Sequence, residues 1–322
     1  MYEGTTEPQP GAILLANPRG FCAGVDRAIE IINRLLEIHD GPVYVRKEIV
    51  HNRDVVQRFQ ARGVVFVEEV DDVPEGSLLV FSAHGVSPAV RQMAAERRLQ
   101  AIDATCPLVA KVHLEAIKFA KEGLFVLLIG HKNHDEVAGT LGEIPGRIAL
   151  VENVADAESV AVPDPQRVAV VTQTTLSIDD TRDIVEALKR RFPALVMPAK
   201  DDICYATQNR QEAVKALAKV TDLVLVVGSE NSSNSQRLRE TAEQAGTPAY
   251  LIDHAGGIEP AWVRGKRTIG VTAGASSPEH LVQSIVARLC ELGNFEVRDF
   301  GTPEPPIVFT PPRELALLET RS

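Results

Sequence analysis

The sequence is poor in cysteine: 322 residues contain four, at positions 22, 106, 204 and 290, and none belongs to a C-x-x-C pair. So few and so scattered, they cannot form the disulfide framework of a chain this size, and free or metal-bound thiols are expected. The missing C-x-x-C argues against a zinc ribbon or a ferredoxin-type cluster motif. Walker A and G-x-G-x-x-G motifs are absent too, which leaves nucleotide binding without its usual support. The most apolar short run, "LFVLLIG" from Leu124, is far too short to cross a bilayer. The opening "MYEGTTEPQP" has neither a basic segment nor an apolar one, so a cytoplasmic protein without membrane association is expected. Against 44 acidic residues stand 34 basic ones, a net charge of -10, and no Lys/Arg cluster could neutralise a row of phosphates. A nucleic-acid partner is therefore disfavoured.

What is present is a hydrophobic fraction of 44% in a chain long enough for two or three domains. In "NPRGFCAGVDRAIEIINRLL", Val25, Ala28, Ile29, Ile32 and Leu36 recur at helical spacing, while "AILLAN" before them has strand length. Cys22 thus lies at a strand-to-helix junction, near backbone N–H groups that would favour a thiolate. Taken alone, a lone cysteine reads better as a small buried apolar side chain. The same grammar returns around Cys106, with Pro107 suited to a first helical turn and Leu108, Val109, Val112, Ala116 and Phe119 on one face. It returns again around Cys204, with Ala213, Val214 and Leu217. Apolar runs such as "GPVYVRKEIV", "GSLLVFSA", "RVAVVTQT", "DLVLVVGS" and "RTIGVTAG" alternate with helical patterns, which predicts parallel sheets. The expected organisation is three similar α/β units, 12–106, 107–203 and 204–290, followed by a proline-rich tail, 291–322, packing back on another unit.

Ligands of open parallel sheets bind at the carboxyl ends of the strands. Here those loops are "EIVHN" (His51), "FSAHGVS" (His84), "LIGHKNHDEVAGT" (His131, His134, Glu136), "TQTTLS" (Thr174), "VVGSENSSNSQR" (Ser232, Ser233, Asn234) and "GVTAGASSPEH" (Ser276). Any one could be a turn or a helix cap, Glu136 included. Together the small hydroxyl, amide and imidazole groups suit an anion with many acceptor oxygens. Three cysteines could hold a zinc ion with water as the fourth ligand, or an iron–sulfur cluster with one iron lacking a thiolate. Cys290 follows Leu281, Val282, Ile285 and Val286 at helical spacing and is expected to be a packing residue.

The segments "NPRGFCAGVDRAI", "EIVHN", "SAHGVSP", "DATCPLVAKVH", "TQTTLS", "DDICYAT", "GSENSSNS" and "TAGASSP", in this order from about Ile13 to Ser277, resemble the LytB family of 4-hydroxy-3-methylbut-2-enyl diphosphate reductases. The resemblance implies a trefoil of three α/β units around a central cavity and the last step of the methylerythritol phosphate route to isoprenoid precursors. It implies that Cys22, Cys106 and Cys204 hold one [4Fe–4S] cluster with an iron open to substrate. His51, His84, His134, Ser232, Ser233, Asn234 and Ser276 would bind the diphosphate, with Thr174 beside the reacting end and Glu136 as proton source; His131 is not carried over. Reductive loss of the allylic hydroxyl, with protonation at either end, would give isopentenyl or dimethylallyl diphosphate. No nicotinamide or flavin domain is recognisable, so electrons would come from a ferredoxin- or flavodoxin-type partner. The extension of about ten residues before the first strand has no assigned role.

Overall fold

The computed structural model describes residues 10–320; the N-terminal extension lies outside the described residues. Twelve strands form among them: β1 (Gly11–Asn17), β2 (Val43–Arg46), β3 (Val64–Val67), β4 (Leu78–Phe81), β5 (Gln100–Asp103), β6 (Phe125–Ile129), β7 (Ile148–Val151), β8 (Val168–Thr172), β9 (Leu223–Val227), β10 (Ala249–Ile252), β11 (Thr268–Ala273) and β12 (Phe295–Gly301). They make three sheets, ordered β10-β9-β11-β1-β12, β3-β2-β4-β5 and β7-β6-β8. Every pairing is parallel. The anticipated α/β fold with parallel sheets, three of them, is what the chain adopts.

Chain contacts divide the molecule into two compact units. One comprises the residues up to Phe21 together with Asn209–Pro305; the other comprises Cys22–Gln208 with Pro306–Ser322. The first unit is built on the five-stranded sheet. β1 does not pair with the strands that follow it but lies between β11 and β12, with Ile13 opposite Ile269 and Val297. Alternation explains its two cores. Ile13, Leu15, Leu223, Leu225, Val227 and Val271 point to the face covered by the helix Glu279–Leu292. Val224 and Val226 point the other way, against Val214, Leu217 and Leu238. A parallel sheet covered on both faces needs this continuous apolar sequence, because every side chain is buried whichever way it points.

The second unit holds the other two sheets. In the three-stranded sheet Leu127, Ile129, Val168 and Val170 feed one core, and Val126, Leu128, Ala169 and Val171 the other. β3, which the apolar runs did not reveal, is an edge strand with Val65 40% exposed. The tail carries a short helix, Arg313–Glu319, whose Leu315 is fully buried and which packs against the helix Ala23–Ile38 and β5.

Cys290 departs from expectation. Leu281, Val282, Ile285, Val286 and Leu289 form the buried stripe of its helix, and Cys290 itself is exposed. One residue past Leu289 is a rotation of about 100° in an α-helix, enough to turn the side chain out of the stripe.

Candidate functional site

In the second unit three imidazoles meet at the ends of β2, β4 and β6. His51 and His84 stack face to face, with centroids 3.9 Å apart and planes 16° from parallel. His134 stands edge-on to both, at 5.4 and 5.9 Å. The loop to His134 turns through Asn133 in the left-handed region (φ 73°), which Asn tolerates better than most residues, and the His134 N–H closes the turn on the His131 carbonyl at 3.1 Å. His134 then caps the helix Asp135–Glu143, its Nδ1 accepting from the Glu136 N–H at 3.2 Å. Because Nδ1 accepts, the proton of the neutral ring sits on Nε2, which becomes a donor for a ligand. His51 Nδ1 lies 3.1 Å from Glu48 Oε2 and His84 Nδ1 3.3 Å from Ser82 Oγ. Burial, then the neighbouring imidazoles, push His84 well below the ordinary histidine value, and the same causes push His134 down to about 3. Before an anion arrives, these two rings are neutral at pH 7.

Glu136 is 2% exposed and does not cap its helix, since His134 does. Its carboxylate turns to the loop after β8 and accepts from the Thr174 N–H at 2.7 Å and the Thr174 hydroxyl at 3.0 Å. Burial raises its pKa to about 7 against those two bonds, with the Asp202 charge adding to the rise. A carboxyl balanced between its two forms near neutrality is suited to delivering a proton.

All three expected cysteines stand at the heads of helices in this unit. Cys22 precedes the helix Ala23–Ile38, Cys106 precedes Pro107–Lys121 and Cys204 precedes Tyr205–Ala218. Each carbonyl accepts the first helical hydrogen bond, from Asp26, Ala110 and Gln208. The Cys106 N–H bonds the Ala83 carbonyl at 2.9 Å and the Cys204 N–H bonds the Thr174 carbonyl at 3.0 Å, so these cysteines are tied to the loop of His84 and to the Thr174 loop that holds Glu136. A Cβ on Gly24 would lie 2.6 Å from Cys106 Sγ and 3.9 Å from Cys22 Sγ, which puts both sulfurs beside the bare Cα of Gly24. At Cys106 and Cys204 burial outweighs the backbone N–H groups at the helix heads. Burial pushes Cys106 up to about 12 and Cys204 up to about 11, and the neighbouring cysteines add to the rise. Cys106 and Cys204, each pushed up by its own burial and by Cys22 beside it, form with Cys22 a donor set that a soft cation would convert to thiolate.

His51, His84 and Asp135 also lie close enough to suggest a metal site. Ring geometry opposes it. In-plane lone pairs of stacked, near-parallel rings cannot point at one ion, whereas their N–H edges can serve separate oxygens of an anion.

The remaining expected residues belong to the first unit, in the loops after β9 and β11. Ser232 caps the helix Ser233–Gln244, accepting from the Ser235 N–H at 3.3 Å. Asn234 Oδ1 accepts from the Ala275 N–H at 2.8 Å, joining the two loops and leaving the amide NH2 as the end that donates. Ser232, Asn234 and Ser276 are buried, while Ser233 is half-buried. Gly228 and Gly274 are required beside them, because a Cβ at either would collide with the Ser235 hydroxyl.

The LytB protein family model matches residues 13–290. The chain is 57% identical over 305 residues to 4-hydroxy-3-methylbut-2-enyl diphosphate reductase 2 of Burkholderia mallei, covering 95% of this chain and 94% of that protein. To the 4-hydroxy-3-methylbut-2-enyl diphosphate reductase of Aromatoleum aromaticum it is 58% identical over 304 residues, covering 94% and 97%. The solved structure of the E-1-hydroxy-2-methyl-but-2-enyl-4-diphosphate reductase from Plasmodium falciparum superposes with a TM-score of 0.92 at 38% identity, covering 97% of this chain and 99% of that one. With its motifs, its three parallel sheets and most of its length in agreement, the chain belongs to the LytB family.

Proposed function

We propose that this protein is a cytoplasmic oxidoreductase that converts (E)-4-hydroxy-3-methylbut-2-enyl diphosphate to isopentenyl and dimethylallyl diphosphate, the last step of the methylerythritol phosphate route. The observation that carries the reading is the junction of Glu136, Thr174 and Cys204. A buried carboxyl with a pKa near 7 is bonded to a threonine whose own carbonyl holds the N–H of Cys204, one of the three expected metal ligands. Cys22, Cys106 and Cys204 fit one [4Fe–4S] cluster, because the missing side chain at Gly24 lets the Cys22 and Cys106 sulfurs approach the same spot and the Cys204 thiol lies close enough to both to feel them electrostatically. A cluster held by these three residues would supply Lewis-acid and electron-transfer chemistry to the site.

The chain's own residues do the rest. His51, His84 and His134 offer ring edges to a diphosphate; in the first unit Ser232, Ser233, Asn234 and Ser276 are hydroxyl and amide groups of the kind such an anion also accepts from. Thr174 holds the Glu136 carboxyl and shields it from water. Loss of the hydroxyl consumes two electrons and two protons, one proton leaving with the oxygen as water and one ending on carbon. Glu136 is the buried acid that delivers a proton. A ferredoxin- or flavodoxin-type protein supplies the electrons. Among the described residues no helix is long and apolar enough to cross a membrane.

An anaerobic assay of substrate-dependent oxidation of a reduced dye tests this directly. Brown protein that turns over the diphosphate is expected. Colourless, zinc-loaded protein that hydrolyses phosphate esters instead would overturn it.

A further inference from the structure

We propose that Lys111 is a positioning residue for the metal centre, tying the helix that starts at Cys106 to the segment that leads into Cys204. The inference rests on the reading that these cysteines hold an iron–sulfur cluster.

Lys111 lies five residues beyond Cys106, in the second turn of its helix. Its ammonium donates to the Lys200 carbonyl at 2.9 Å, the Asp201 carbonyl at 3.0 Å and Asp202 Oδ1 at 2.9 Å. An ammonium has three protons, and consecutive residues of one segment supply an acceptor for each. Glu115, one turn further along the helix, adds a carboxylate oxygen at 3.3 Å. Asp202 passes the link on. Its other oxygen accepts from the Thr172 N–H at 3.0 Å, at the end of β8, and its side chain is fully buried. Two residues later the Cys204 N–H bonds the Thr174 carbonyl.

The segment needs this fastening. From Pro198 to Cys204 the chain has neither strand nor helix, so no ladder sets its position. A buried carboxylate also demands a cationic partner, which fixes the lysine rather than leaving it one of the exposed pairs worth little. Lysine suits the task better than arginine, because the acceptors converge on one point and a planar guanidinium cannot meet all of them. The link sets how far apart two of the three sulfurs stand.

The test compares wild type, Lys111→Met and Asp202→Asn as holoproteins purified anaerobically. Iron release to a ferrous chelator is followed by loss of visible absorbance, and melting of the metal-free forms is measured alongside. Lys111→Met keeps the aliphatic stem; Asp202→Asn keeps an acceptor for the Thr172 N–H. Both variants are expected to release iron at least tenfold faster than wild type. The metal-free proteins should melt within a few degrees of wild type, and affinity for inorganic diphosphate should be unchanged. The double variant should be no faster than the faster single one, since both substitutions break the same link. Wild-type iron release from either folded variant overturns the inference while leaving the cluster reading intact, as does faster release that merely tracks a lower melting temperature. Wild-type protein without iron or visible absorbance would overturn the cluster reading, and the inference with it.

Discussion

Thr174 holds Glu136 by both of its donors, the backbone N–H at 2.7 Å and the hydroxyl at 3.0 Å. This buried carboxyl has its pKa raised to about 7, so in the metal-free protein it opposes folding once ionised. The stability it leaves intact below the unfolded value near 4.5 is lost as pH rises through about 7. Glu136→Gln keeps an acceptor for Thr174 and removes the charge. The metal-free variant should therefore be more stable than wild type above pH 7, by up to about 3 kcal/mol, with the gain fading toward pH 4.5. Turnover should move the other way, falling by roughly two or more orders of magnitude, the scale of general-acid catalysis. Thermal melts across pH and anaerobic kinetics check the two halves separately; near-normal turnover would remove Glu136 from the mechanism.

Neutral imidazoles around an anion site have a consequence for binding. His84 and His134 are held below their ordinary values by burial and then by neighbouring imidazoles, and a bound anion favours their charged forms. Binding should take up protons, and affinity should rise as pH falls toward 6. Titration calorimetry of inorganic diphosphate in two buffers of different ionisation heat measures the uptake. Because diphosphate also titrates, the protein's share is the difference between wild type and His134→Asn. No difference between them would mean that the ring stays neutral in the complex.

Much of this arrangement could be read from the chain because it is periodic or tied to a junction. Burial on both faces of β6, β8 and β9 appears as continuous apolar runs, and helix heads are marked by the cysteines with Pro107 or a following stripe. Contacts between distant segments leave no such mark. His113 sits on the buried face of the Cys106 helix, bonded to Glu143 at 2.9 Å. Its ring fills the space over Gly85 and Gly139, where added Cβ atoms would approach within 3.1 and 3.2 Å. Nothing near His113 in the sequence names those glycines. Arg210, almost fully buried, holds the carbonyls of Gly20 and Phe21 and the Glu304 carboxylate, and it lies in a polar stretch that reads as a solvent-facing helix surface. The thiol pKa values escaped for a different reason. Helix-end N–H groups lower them as expected, but burial among three like groups is the larger effect, and burial is a tertiary property.

Serine scanning separates the cysteines. Cys22→Ser, Cys106→Ser and Cys204→Ser should each lose most of the iron and the turnover, because a hydroxyl is a poor substitute for thiolate on iron. Cys290→Ser should match wild type in iron content, turnover and melting temperature, since its side chain is exposed. Iron analysis of the four purified variants decides this. A brown, active Cys106→Ser protein would break the three-ligand assignment.

Gly24 gives the sharpest test of where the sulfurs meet. It lies in the first turn of the helix Ala23–Ile38, where replacing glycine with alanine would ordinarily stabilise by up to about 1 kcal/mol. Here the new methyl would sit 2.6 Å from Cys106 Sγ, closer than two such atoms can approach, so the sulfur must rotate away. In the metal-free protein that rotation is inexpensive, because a cysteine side chain has a single heavy-atom torsion and other staggered positions. With metal it is not, because the sulfur then points away from its partners. Gly24→Ala should therefore melt at or above the wild-type temperature when metal-free, yet bind far less iron and lose turnover in proportion. Anaerobic reconstitution followed by iron and sulfide analysis measures the first effect, and circular dichroism melts measure the second. Full iron content in Gly24→Ala would show that the Cys106 sulfur engages the metal from a direction other than the Gly24 turn.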